Sequence, residues 1–486
     1  MSIAAPFTAG NIAILQAAAS ANNTTCSVIE LSPTTAGQTP TNTISISGTG
    51  ASALRISGSA TSTGYVSRSA DGSLLTFTGA NNTDTVANVN TLNPRAVATL
   101  NAAGSLALST TYTGTSGNQT RGATSLNNTN WFIADQGGIY TNGTTSASPT
   151  ENSRGIKSFG GVVHALRQGN TAPLIVVSTV SAPTGGSITG LPGLTNNNNA
   201  LDFYLISSGT NGSTYDVLYI LAATSNTAGT ISKYSLVSGT WTANGSYTTT
   251  FGGFGIAAAK SGSGAVLYVS TGQGALTANS VLKLTDTTGH NATISITTGN
   301  NVTLYTAPTG AIIKGVDFAP VGPTITGAAT AAAFTTTYGT ASTAQTFSIS
   351  GSNLTANLVA TAPTGYQVSS DGTTYGTTAT FTQSGGTASG SLRVRLAATA
   401  TVSGTYNSQN IALTSTGATT VNIATAASGN SVGTMALTVT ANNATKSFGA
   451  TLTGGAGSTA FTSSGLVGAE TIGSVTISYG SGASAG

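Results

Sequence analysis

Charge is what this sequence has least of. Of 486 residues only 5% are Asp, Glu, Lys or Arg, against about 25% in an ordinary soluble domain. The 14 basic and 11 acidic side chains leave a net charge of +3. That excess is too small and too scattered to hold a polyanion by counterion release, which argues against nucleic acid as a partner. Cys26 is the only cysteine, so no internal disulfide forms and a thiol-based zinc site has too few ligands. It reads as a small buried hydrophobe. No apolar run approaches the ~18 residues of a membrane span, so membrane insertion is not expected. The opening MSIAAPFTAGN lacks the basic n-region of a signal peptide. No window of 12 to 15 residues shows a helical period, which leaves a β protein.

What is present is glycine, 63 residues of it, with much Ser, Thr, Ala and Asn, while apolar residues still reach 39%. Disordered chains combine low hydrophobicity with high charge; this one has neither. Its apolar residues sit in short alternating runs such as LYILAA, LYVSTG and SLRVRLAA, the period of strands. The chain is too long for one ordinary core. Texture changes at FAPVGPTITG, residues 318–327. Both Trp, both His and most charges precede it, and only Asp371, Arg393, Arg395, Lys446 and Glu470 follow it. A first domain over 1–322 is expected.

Within that domain one short phrase restarts: GYVSRS from Gly64, RGATSL from Arg121, RGIKSF from Arg154, ALDFYL from Ala200, FGIAAA from Phe254 and KGVDFA from Lys314. Most restarts lead into a turn, a second strand and a third, at spacings of about 33 to 61 residues. That is the pattern of propeller blades, which run about 40–50 residues. Each small sheet has two apolar faces that only a closed ring of sheets buries. The restart is read as the innermost strand, its glycine letting backbones crowd at the axis. KGVDFA has no strands after it, and GNIAILQ, CSVIELS and NTISISG have no restart before them. Pairing these two ends closes a ring of six blades; a seventh enters only if residues 93–113 hide one.

The phrases GYVSRSADGSLLTFTG, NPRAVATLNAAGSLALST and LYTAPTGAIIKGVDFAP resemble the propeller-like regions of secreted proteins of Bacteroidota and related bacteria. FTTTYGTASTAQTFSISGSNL and SGSLRVRLAATATVSGTYNSQNIALTSTGA resemble the Ig-like modules of bacterial surface proteins, which implies a β-sandwich over 323–432. LTVTANNATKSFG with FTSSGLVGAETIGSVTISYG is similar to the start of an MBG (mostly-β, glycine-rich) module over 433–486. The expected fold is therefore all-β: a propeller, an Ig-like sandwich and a partial MBG-like module. The resemblances imply an extracellular, cell-surface location.

Chemistry is sparse. The acids are scattered, with no D-x-D-x-D-G calcium loop, no P-loop and no G-x-S-x-G elbow,. His164 and His290 lie too far apart in sequence for a triad or a histidine-rich metal site. The expectation is no enzyme, no cofactor and no metal. One constellation stands out. Arg121, Arg154, Lys157, Asp202 and Asp317 fall in or beside the restarts, where they would ring the channel mouth as a ligand site or cap the channel as ion pairs. Trp131 reads as blade core, whereas Trp241, beside a turn, is a candidate for stacking on a sugar. DTV and DTT make Thr85 and Thr287 candidates for O-glycosylation. Two functions follow: a structural or adhesive surface protein that self-associates or binds other cell-surface and matrix components, and a glycan-binding head. A propeller hydrolase or lyase comes third.

Overall fold

The computed structural model describes residues 5–168, 173–180, 189–195, 197, 199–272, 278–467 and 469–480. They divide into two compact units, Met1–Gly322 and Pro323–Gly486.

The first unit is a ring of six small antiparallel sheets. Each restart forms the innermost strand of its sheet. Blade 2 is Ser67–Arg68, Leu74–Ala80, Arg95–Asn101 and Leu106–Tyr112. Blade 3 has three strands, Thr120–Ser125, Trp131–Asp135 and Gly138–Tyr140. Blade 4 starts at Ser153–Phe159, blade 5 at Ala200–Ile206 and blade 6 at Gly253–Ser261. Residues 93–113 supply the outer strands of blade 2, so among the described residues there is no seventh blade.

Blade 1 closes the ring. Its innermost strand, Ala311–Phe318, pairs with Ile12–Ala18 from the other end of the unit, with Asp317 opposite Ala13. Cys26–Leu31 and Asn42–Ile46 complete it. The apolar residues pack between neighbouring blades. Val97, Tyr112, Ala123, Trp131 and Ile133 join blades 2 and 3; Phe132, Ile156, Val163 and Ile175 join blades 3 and 4. Cys26 is buried in a similar seam between blades 1 and 2, and burial pushes its thiol up to about 12.

The scarce charges are concentrated on the same seams. Arg95 of blade 2 pairs with Asp135 of blade 3 at 2.6 Å, and the Tyr112 hydroxyl donates to that carboxylate at 2.7 Å. Lys233 of blade 5 pairs with Asp286 of blade 6 at 2.8 Å, with the Tyr219 hydroxyl at 2.8 Å. A buried ion pair is tolerated where further hydrogen bonds complete both partners. Asp286 also accepts from the Ser295 amide and the Thr288 hydroxyl. Its DTT sequence therefore has a structural use, while Thr287 and Thr85 are exposed.

At the axis the inner strands come close enough to require glycine. The Gly315 amide donates to Gly64 O at 2.9 Å, and a Cβ on Gly315 would sit 2.4 Å from the Val66 nitrogen.

In the second unit two sheets enclose one core. Thr324–Thr326, Gln345–Ser352, Ala388–Leu396 and Tyr366–Ser369 make one sheet. Ala329–Thr330, Val421–Ala424, Asn410–Thr414, Leu358–Thr361 and Thr378–Phe381 make the other. Phe334, Leu392, Val394, Ile411 and Leu413 fill the space between them. Beyond it, Thr438–Ala441 pairs with Phe461–Ser464 and Gly455–Ser458 with Val475–Ile477. These two-stranded sheets are largely exposed.

Candidate functional site

The six inner strands run in one direction around the axis, so the channel has a rim where they start and a rim where they finish. Tyr65 N bonds Arg121 O, and Gly315 N bonds Gly64 O, at the starting rim. A cleft lies at the finishing rim.

Between the rims, Lys157 blocks the channel. From blade 4 its Nζ reaches Asp202 Oδ2 of blade 5 at 3.3 Å and Asp317 Oδ2 of blade 1 at 3.8 Å. It also donates to Val66 O of blade 2 and Ile256 O of blade 6, both at 3.3 Å, and lies 5.2 Å from the Tyr204 ring centre. One buried ammonium thus ties together strands of five blades. Three of the five expected residues, Lys157, Asp202 and Asp317, meet here. Asp202 is held underneath, its Oδ2 accepting from Ile256 N at 3.0 Å, while among the described residues its Oδ1 has no hydrogen-bond partner. Burial pushes this carboxyl up to about 6, against the opposing pull of Lys157.

Arg121 and Arg154 are elsewhere. Arg121 donates to Asn152 Oδ1 at 2.7 Å and Ser153 O at 2.9 Å. Arg154 donates to Ala200 O at 3.0 Å. Both stitch adjacent blades at the starting rim and leave the cleft alone. Beside them Lys314 is fully buried. It donates to Ala60 O at 2.6 Å over the Phe254 ring, and burial lowers it to about 7.

Trp241 is also corrected. It is 5% exposed and packs in the core shared with Tyr234 and Ile294, because the chain returns across it: its amide donates to Pro192 O at 2.9 Å. Its indole face is not offered to a sugar. Trp131 is fully buried, as expected. His164 is packed against Phe159, and burial lowers it to about 4. His290 is half-buried and its Nε2 bonds Leu236 O at 3.0 Å.

The cleft at the finishing rim has a volume of about 460 Å³. Lys157 and Asp317 form its floor, with Arg68, Asp71, Lys260 and Tyr215 at its sides. Blade 6 lines it with two small side chains, Ala258 and Ala259, ahead of Lys260, where other restarts present Arg68, Phe159 or Phe318. The aromatic wall is continuous. Phe159 meets Tyr204 at 5.0 Å and Tyr215 at 5.4 Å, and Tyr204 meets Phe318 at 6.1 Å.

The carboxylates of the cleft are already engaged. Asp317 Oδ1 accepts from Phe318 N at 2.7 Å and the Tyr204 hydroxyl at 3.1 Å, and pairs with Arg68 Nε at 3.4 Å. Asp71 accepts from Ser69, Ser73 and Asn128 at 2.6 to 3.0 Å. Among the described residues no group of three or more His, Cys, Asp or Glu is arranged to hold a metal.

Arg68, Lys260, Tyr215 and the aromatic wall were missed from sequence. Arg68, Phe159 and Phe318 lie in the tails of restarts, SRS, KSF and DFA, whereas Tyr215 lies in the turn GSTYD and Lys260 beyond FGIAAA.

No family model matches this chain and no curated protein does; the Bacteroidota, Ig-like and MBG resemblances gain no support from them. Among solved structures it is similar to two described as candidate 6-phosphogluconolactonases. The one from Bacteroides fragilis is 9% identical at TM-score 0.33, over 63% of this chain and 97% of that one. The one from Bacteroides uniformis is 13% identical at TM-score 0.33, over 62% and 99%. An exo-β-1,3-galactanase from Phanerochaete chrysosporium, with β-1,3-galactotriose, is 10% identical at TM-score 0.24, over 66% and 89%. All three are named as enzymes, which corrects the expectation that this chain is none. Likeness at this level assigns it no reaction.

Proposed function

We propose that the first unit is a glycan-binding head and that the finishing-rim cleft is where the sugar binds, in a protein acting outside the cell. The observation that carries this is the cleft's mixed lining. A sugar ring has apolar C–H faces and hydroxyl edges, so its site needs aromatic surface beside fixed polar groups. Phe159, Tyr204, Tyr215 and Phe318 supply the first; Ser69, Ser158, Ser207, Arg68 and Lys260 supply the second. Tyr215 is 38% exposed, so its ring is available to a ligand. The floor is preorganised, because Lys157 and Asp317 are fixed from several blades, and preorganisation lowers the entropic cost of binding.

The self-assembling structural reading has less to stand on. It rests on exposed apolar side chains of the last segment, such as Leu437 and Phe448, and on the open edges of its short sheets.

A screen of neutral and acidic oligosaccharides, followed by calorimetric titration of the best binder, tests the head. Tyr215→Ala is expected to weaken binding about tenfold, ~1.4 kcal/mol, with the thermal midpoint nearly unchanged. Undiminished binding in that variant would remove the cleft from the account.

A further inference from the structure

We infer that the sugar taken by this cleft carries a negative charge, a carboxylate or a sulfate ester, and that Lys260 and Arg68 receive it; this rests on the glycan-binding reading above. Five charged side chains line the cleft: Arg68, Lys157 and Lys260 against Asp71 and Asp317. Counting charges says little, since three cations nearly balance two carboxylates. What decides is which of them still have free valence.

Both carboxylates are satisfied from inside the protein. Asp317 takes a backbone amide, a tyrosine hydroxyl, Arg68 and Lys157. Asp71 takes two serines and Asn128. Lys157 is satisfied too, its three donors facing two carbonyls and two carboxylates in the floor. Both oxygens of Asp71 accept hydrogen bonds, Asp317 is 3% exposed with its Oδ2 facing Lys157 at 3.8 Å, and Lys157 presents no empty donor.

Lys260 is different. It is the second-last residue of the inner strand of blade 6 and is exposed, and among the described residues its Nζ has no hydrogen-bond or ion-pair partner. The loop beside it keeps room for the ammonium. Gly209 sits at φ +84°, and a Cβ there would lie 2.8 Å from Lys260 Nζ. Arg68 is the second open cation. Its side chain is 26% exposed while its partner Asp317 is 3% exposed, so the guanidinium covers the carboxylate and faces outward over Phe318. The cleft therefore offers a ligand two cations, whereas its carboxylates are either covered, as Asp317 is, or bonded at both oxygens, as Asp71 is. A guanidinium and an ammonium in one partly enclosed cleft suit a carboxylate or sulfate oxygen, through charge-assisted hydrogen bonds that a neutral hydroxyl does not match.

The test is calorimetric titration of the whole chain with two matched pairs: trigalacturonate against its methyl ester, and galactose 6-sulfate against galactose. Each pair differs in the charged group. The expected result is that at least one charged member binds about three- to tenfold more tightly than its neutral counterpart. That advantage should shrink at high salt and vanish in Lys260→Gln, an exposed substitution that leaves folding intact. Gain with the uronate alone assigns the carboxylate source, gain with the sulfate alone assigns the ester, and either supports the inference. Equal binding of charged and neutral members would overturn the inference and leave the glycan-binding reading standing. A charge preference that survives in Lys260→Gln would overturn the role given to that residue. Binding of none of the four, with no other glycan bound in the screen, would overturn the reading itself and the inference with it.

Discussion

Asp202 has an unusual position for a carboxylate: it lies under the channel floor with one oxygen bonded and the other without a hydrogen-bond partner among the described residues. Burial raises it to about 6, whereas in an unfolded chain it titrates near 3.9. Between those values the folded protein holds a proton that the unfolded chain has released. Stability attributable to this group therefore falls as pH rises from about 4 to about 6, and the cost is complete above that window. A difference of that size between folded and unfolded chain corresponds to roughly 3 kcal/mol. Asp202→Asn removes the titration while leaving Asp317 as a counter-ion for Lys157. Chemical denaturation across pH 4 to 7 is expected to show a steeper decline for the wild type than for Asp202→Asn. Parallel curves would mean that Lys157 compensates the burial in full.

Among the elements, the inner strands carry the architecture, and a glycine fixes their closest approach. Gly315 donates to Gly64 O while lying against Val66. Its neighbours there are backbone atoms, which cannot rotate aside as a side chain can. Gly315→Val is therefore expected to cost about 2–3 kcal/mol, read as a lower urea midpoint with an unchanged slope. A wild-type midpoint would show that the axis is wider than the structure has it.

These strands were also the most legible part of the sequence. Their repeated phrase gives blade number and ring closure, because closing the ring needs KGVDFA opposite GNIAILQ and the register obeys. Side-chain accessibility was less legible. Trp241 sits beside a turn, and turns are usually at the surface, but its strand Thr240–Thr249 is crossed by the segment around Pro192. That contact is non-local and leaves no mark in the local pattern. The site was half legible for a similar reason. Lys157, Asp202 and Asp317 share a level of the ring and could be aligned. The cleft, by contrast, is lined from blade 6 by Ala258 and Ala259, small residues that draw no attention until their neighbours are known.

For the whole molecule, low charge is an organising fact. Four of the six buried carboxylates among the described residues sit in inter-blade seams or at the axis: Asp135, Asp202, Asp286 and Asp317 each bond a residue from another blade. At the finishing rim Lys260 is exposed and Arg68 half-buried. The account's central claim is that this rim, where the inner strands finish, is the binding face. Hydrogen–deuterium exchange with and without a bound oligosaccharide tests it directly. Protection is expected in residues 157–159, 204–207, 258–260 and 317–318, with little change at 121–122 and 152–154 or around Trp241. Protection confined to the starting rim, or to the strand that bears Trp241, would contradict the assignment of the cleft.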